Sequence, residues 1–334
     1  MYKFFLRQGE ENDATRFYLK LIEQAIISLN EKVVKIYFLG DINKEDKIIT
    51  VSIQAFAKVY FHNPRQYIIN WFQGIAPEEV IMLLNNKGGI KKYGKKYIFT
   101  LLEKLALKKS KLTFMVSHSM LKHYERKYHL KLSHYIIIPC FNQLFDPTAF
   151  DTAKYQRANF VYAGGILPWQ CVERTFNIYK EIQNNLPDST LTVLTGDQEK
   201  ATELITKLDL KNVVVKYVNN SELNKELRHY KYGFLIRENN IVNNVATPTK
   251  MNSYMAAGVI PIVSDVIDDF RIFSDDKYVI KLAPDMSDHE IVEEILEFEQ
   301  NKVEGRDIMR HHKKMFDHYY SVEKYIKLIE ERLK

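Results

Sequence analysis

The chain has 334 residues, 48 Lys and Arg against 42 Asp and Glu, 46% hydrophobic residues and 13% aromatic ones. That length is past the point where one hydrophobic core keeps growing, so two domains are expected, and the aromatic content with only 12 glycines excludes a disordered or fibrous chain. Two cysteines, Cys140 and Cys171, are too few for a disulfide framework or a zinc site, and the net charge of +6 is unevenly placed.

The opening residues MYKFFLRQGEEND turn acidic before an apolar stretch long enough for export has formed. No run approaches the roughly 20 apolar residues that cross a bilayer, so cytoplasmic residence is expected. Short apolar runs at 2–6, 33–39, 48–51, 67–71, 112–116 and 135–138 read as strands. Helical spacing occupies 14–29, 53–61, 77–84, 97–108 and 119–128. Strands separated by helices predict an α/β domain with a doubly wound parallel sheet over 1–150.

Between Lys91 and Lys111 eight lysines stand against one acid, Glu103. Tyr97, Ile98, Leu101, Leu102, Leu105 and Ala106 recur there at helical spacing, which predicts an amphipathic helix. Such a helix packs on a core with its lysines solvated, or lies on an anionic membrane surface where each lysine is worth about 1 kcal/mol. No nucleic-acid motif accompanies the charge, so nucleic acid is not an expected partner.

From 147 to 158 the chain becomes polar and aperiodic, as a linker does. A second alternation follows, with strands at 160–163, 191–195, 213–216, 233–236, 260–263 and 278–280. Its helices are expected at 172–184, 199–208, 221–229 and 249–256, and from 288 and 321 onward. A second Rossmann-like domain is therefore expected over 158–312, with a terminal helical segment at 313–334. Two such domains facing across a cleft bind ligands at the carboxyl ends of their strands.

The most informative stretch is YGFLIRENNIVNNVATPTKMNSYMAAGVIPIVS, residues 232–264. Thr247 is placed to cap a helix that Pro248 begins and Gly258 ends. Free backbone N–H groups at that start, beside Thr249 and Lys250 and with Arg237 upstream, form an anion site, although the same residues also describe an ordinary capped helix. A second strand end, FVYAGGILPWQ, carries Gly164 and Gly165, where only glycine lets a ligand approach the backbone closely. Neither the dinucleotide fingerprint nor the Walker lysine pattern is present, so hydride transfer and P-loop chemistry are not expected.

In order, FVYAGG, LTVLTGD, VVVKYVNNSELNKELRHYKYGFLIR and PTKMNSYMAAGVIPIVSD resemble the donor-binding half of family-4 retaining glycosyltransferases of the GT-B fold. MVSHSMLKHYERKY and YIIIPCFNQLFDP resemble the end of their amino-terminal domain. The resemblance implies transfer of a sugar from a nucleotide diphosphate sugar, with retention, to a glycan or lipid-linked acceptor. It fits surface polysaccharide synthesis at the inner face of the plasma membrane, with the 91–111 stretch on the anionic surface. Carried over by position, Arg237 and Lys250 are catalytic against the leaving diphosphate, and Gly164 and Gly165 lie at the diphosphate. Tyr217, Val218 and Asn219 flank the base, while Asn240, Asn243, Thr249, Ser253 and Tyr254 complete the donor site.

On the acceptor side stand Gly9, Gln73, Gly74 and His118. No cofactor or metal is expected if the cations and the helix dipole neutralise the diphosphate. The family usually has Arg and Lys where this chain has Gly165 and Gln170, and a ribose-binding Glu where it has Ser253. Two alternatives remain at this level: a non-catalytic relative acting as a binding subunit, and an epimerase of the same architecture. The family's last helix often crosses back to the first domain, which is the implied role of 313–334.

Overall fold

The computed structural model describes residues 1–84, 89–274 and 277–334. The chain divides into a first unit of Met1–Cys140, Val245–Thr247 and Ser321–Lys334, and a second of Phe141–Asn244 and Pro248–Tyr320.

In the first unit the chain runs β1 (Tyr2–Phe5), α1 (Asp13–Ser28), β2 (Val33–Ile36), β3 (Lys47–Thr50), α2 (Ile53–His62) and β4 (Tyr67–Phe72). It continues through α3 (Ala76–Leu83), α4 (Gly89–Lys109), β5 (Leu112–Met115), α5 (His118–Tyr128) and β6 (Tyr135–Ile137). The strands form one parallel sheet in the order β2-β1-β3-β4-β5-β6. β1, β4 and β5 are buried almost throughout, so their near-continuous apolar runs suit a sheet covered on both faces. The chain leaves β1 toward one edge and β3 toward the other, which makes the β1/β3 boundary the switch point where open sheets bind ligands.

In the second unit come β7 (Asn159–Ala163), α6 (Val172–Asn185), β8 (Thr190–Leu194), α7 (Gln198–Lys207), β9 (Val213–Lys216), α8 (Asn220–Leu227) and β10 (Tyr232–Leu235). Then follow α9 (Ile241–Asn244), α10 (Thr249–Ala256), β11 (Ile260–Ser264), α11 (Asp268–Phe273), β12 (Ile280–Leu282), α12 (Asp288–Glu299) and α13 (Gly305–His318). The parallel order β12-β11-β10-β7-β8-β9 is the Rossmann order, with its switch point between β7 and β10. Phe160 stacks on Tyr232 at 5.0 Å and Phe234 at 5.3 Å at the centre of this core. The last helix, α14 (Val322–Leu333), packs on α1 and so belongs to the first unit.

The fold departs from the sequence reading in four places. The stretch read as a linker forms two 3-10 turns, Pro147–Ala149 and Thr152–Gln156, capped by Asp146 and Asp151. Ala149, Phe150 and Tyr155 are buried in the second core, and the Tyr155 hydroxyl donates to Gly258 O at 2.7 Å. The polar residues there cap turns, which is why periodicity vanished without the chain leaving the core.

α13 was not expected, and it crosses the 312/313 boundary. Its buried face includes His312, whose ring nitrogens lie 3.2 Å from Met255 O and 3.3 Å from Tyr278 O. A polar residue in the stripe hid its helical period.

In α4 the buried residues are Glu103, Ala106 and Leu107, whereas Tyr97, Ile98 and Leu101 are exposed. The Glu103 carboxylate accepts from Lys127 Nζ at 2.8 Å and from the hydroxyls of Tyr128 at 2.5 Å and Tyr124 at 3.3 Å. A carboxylate so fully satisfied can be buried, and it draws its own side of the helix inward.

Finally, Thr247 does not cap α10. Its hydroxyl accepts from Cys140 N at 2.9 Å and donates to Val116 O at 3.3 Å, and Pro248 occupies the cap position.

Candidate functional site

The second unit's switch point gathers chemistry at the ends of β7 and β10. Gly164 follows β7 with φ +139°, a backbone region L side chains rarely adopt, and Arg237 follows β10. Lys250, in the first turn of α10, extends over Gly164, where an added Cβ would lie 2.6 Å from Lys250 Cε. Its ammonium donates to Gln170 Oε1 at 2.6 Å and stands 3.9 Å from the centroid of the Tyr162 ring. Arg237 donates from Nη1 to Trp169 O, and its backbone N–H donates to Ser264 Oγ at 2.9 Å.

Both cations are buried, Arg237 to 5% and Lys250 to 8% exposure, and among the described residues neither pairs with a carboxylate. Buried charges in proteins are ordinarily paired, because desolvation costs several kcal/mol per ion. Burial, then the positive charge of Arg237, holds the Lys250 pKa well below the ordinary lysine value. Burial likewise lowers Arg237. The arrangement is a cation pair without its counter-anion.

The other residues expected at the donor fall into distinct groups. The Gly165 carbonyl accepts from the Tyr162 hydroxyl at 2.6 Å, and Asp197 holds the next amide, Ile166 N, at 3.0 Å. Thr249 is the first residue of α10, half-buried, with its carbonyl accepting from Ser253 Oγ at 3.1 Å. Ser253 Oγ also lies 3.2 Å from Asn142 Oδ1. Tyr217 and Asn219 are exposed and Val218 half-buried, just before α8.

Asn240 and Asn243 are committed to the loop itself: Asn240 Oδ1 accepts from Asn243 N at 3.1 Å, and Asn243 Nδ2 donates to Glu238 O at 2.9 Å. Tyr254 is a structural residue. It is fully buried, packs where Gly233 has no side chain, accepts from Ala163 N at 3.0 Å and donates to Phe234 O at 3.2 Å. Tyr254→Phe strands the Ala163 N–H and is expected to cost about 1–2 kcal/mol in a denaturant titration.

Sequence reasoning did not place Tyr162 or Trp169 in the site, and it noted Gln170 only as a departure. Tyr162 had a signal: residues two apart on a strand share a face, so Tyr162 lies on the side of Gly164.

In the first unit a cavity of about 410 Å³ opens at the switch point between β1 and β3. Of the expected acceptor-side residues, Gly9, Gln73 and Gly74 line it and His118 does not; His118 begins α5 and is exposed. Gln73 Nε2 donates to Val51 O at 2.9 Å. Ser52, Glu79 and Lys95, not placed in the site from sequence, also line the cavity.

Among the described residues no group of three or more His, Cys, Asp or Glu is placed to hold a metal ion, and no helix is long and apolar enough to cross a membrane.

By sequence the chain matches no family model and no curated protein. By structure it is similar to WaaG, a glycosyltransferase involved in lipopolysaccharide biosynthesis, with TM-score 0.69 and 13% identity over 98% of this chain and 99% of WaaG. It is similar to Anabaena HepE, whose structure holds UDP-glucose, with TM-score 0.70 and 13% identity over 99% of this chain and 98% of HepE. Against S. aureus TarM, bound to fondaparinux, α-GlcNAc-glycerol and UDP, the TM-score is 0.64 at 13% identity over 87% of this chain, which spans only 56% of TarM. With its two Rossmann-like sheets, the chain has the GT-B glycosyltransferase fold.

Proposed function

We propose that the protein is a glycosyltransferase that moves a sugar from a nucleoside diphosphate donor to a glycan or lipid-linked acceptor with retention of configuration. The observation that carries this reading is the buried, unpaired Arg237 and Lys250 at the second switch point, beside the glycine that lets a ligand reach the backbone. A diphosphate supplies the missing negative charge, and the α10 amino terminus adds backbone donors. When the sugar C1–O bond breaks, both electrons stay on the diphosphate oxygen, and the two cations stabilise that charge. The acceptor oxygen bonds to C1 from the same face and its proton passes to the departing diphosphate, so no protein nucleophile is needed.

The same reading takes the reaction to be independent of metal and cofactor, since two cations and a helix terminus supply the charge. It places the protein in the cytoplasm, peripheral to the inner face of the plasma membrane through the 91–111 lysines, in surface polysaccharide synthesis. The glycosyltransferase neighbours, one of them solved with UDP-glucose, support UDP-sugars as the first donors to try.

A thermal-shift comparison of UDP, GDP and their sugars tests the donor assignment. A nucleotide at a hundred times its Kd stabilises by about 2.7 kcal/mol, a shift of several degrees. No shift with any nucleoside diphosphate refutes the donor site.

A further inference from the structure

The first unit's cavity and α4 share residues, and that sharing says what the acceptor is. The cavity lies at the carboxyl ends of β1, β3 and β4, where an open parallel sheet binds ligands. Its wall mixes aromatic surface, Trp71 and Phe72, with hydroxyl, amide and carboxylate groups. Glu79 is the distinctive member. Its carboxylate occupies the space that a side chain on Gly74 would fill, and among the described residues no cation pairs with it. Burial raises its pKa, as a half-enclosed acceptor without a counter-charge requires. Such a group suits a sugar hydroxyl.

Lys95 is the one cation lining the cavity among the described residues, and it comes from α4 together with Phe99. The same helix exposes Tyr93, Tyr97, Ile98 and Leu101 at 60, 65, 56 and 50%. Those positions fall on one stripe of the helix, and the lysines of 91–96 lie among them. An exposed aromatic and aliphatic stripe set among lysines matches a helix lying in the plane of an anionic membrane surface.

Resting on the glycosyltransferase reading, we propose that the acceptor is a sugar joined to a membrane lipid through a phosphate. The cavity holds the sugar hydroxyls against Glu79, Lys95 pairs with the phosphate, and the Tyr93–Leu101 stripe of α4 rests on the bilayer that holds the lipid.

Three soluble probes test this by calorimetry: a free hexose, the hexose 1-phosphate, and the octyl hexosyl phosphate. Affinity rises in that order, with about tenfold or more gained at the phosphate, as for a charge-assisted hydrogen bond. Lys95→Gln removes the phosphate step, and Glu79→Gln weakens all three probes by about tenfold. Vesicles of phosphatidylcholine with roughly 30% phosphatidylglycerol sediment the wild type and lose the Tyr97→Ser/Leu101→Ser variant, with binding falling as salt rises. Equal affinity for the three probes, an unaffected Glu79→Gln, or equal sedimentation of the double variant overturns the proposal. UDP stabilisation is measured on the same samples and stays unchanged in every variant. Its absence in the wild type counts against the donor reading alone, because the probes bind without donor.

Discussion

Arg237→Ala/Lys250→Ala is expected to lose UDP binding by more than a hundredfold, about 3 kcal/mol, in a calorimetric titration. The reason is the environment of the two side chains. Each is more than nine-tenths buried, and their hydrogen-bond partners are neutral: Gln170 for Lys250 and the Trp169 carbonyl for Arg237. A diphosphate bound there meets two desolvated cations, and losing both leaves its charge without compensation. The apo protein should lose little stability, since removing two mutually repelling buried charges relieves a cost as it sacrifices two hydrogen bonds. Binding within threefold of wild type would place the diphosphate elsewhere.

Gly164→Ala is expected to damage the site through a different route. The new methyl would stand 2.6 Å from Lys250 Cε and 3.1 Å from its Nζ, so the lysine must swing aside. The far end of a lysine moves at little cost, and the fold survives. The backbone at φ +139° is strained for alanine, which adds roughly 1–3 kcal/mol of destabilisation. UDP affinity should fall at least tenfold, and Gly164→Ala combined with Lys250→Ala should bind no worse than Lys250→Ala alone. Additive losses would mean that the glycine acts on the ligand independently of the lysine.

Much of this was legible in the sequence, because parallel sheets covered on both faces write themselves as short apolar runs. The runs at 67–71 and 213–216 became β4 and β9, and the α10 range, 249–256, is the one that spacing and Gly258 predict. β12 was read two residues early because Tyr278 looks like a strand residue, whereas its carbonyl faces the His312 ring.

At the site, Arg237, Lys250 and Gly164 could be named from a strand-loop-helix pattern and a glycine pair. The roles of Thr247, Tyr254 and Gln170 could not. Thr247 is claimed by Cys140 and Val116, more than a hundred residues away in sequence, and Tyr254 by the bare face of Gly233. Such assignments depend on long-range packing, which local pattern does not encode. The same limit hid the inverted face of α4, decided by Lys127, Tyr124 and Tyr128 from another helix.

Proton linkage tests the cation pair most directly. In the free protein Lys250 holds its proton less readily than an ordinary lysine, so between its lowered pKa and the unfolded value near 10.4 the folded state binds fewer protons and apo stability rises with pH. A bound diphosphate reverses this by favouring the ammonium form. UDP titrations in two buffers of different ionisation enthalpy, repeated from about pH 6 to pH 9.5, should reveal net proton uptake on binding in the wild type that disappears in Lys250→Met. Binding with no such uptake anywhere in that range, or uptake that persists in Lys250→Met, would contradict a diphosphate gripped by this lysine.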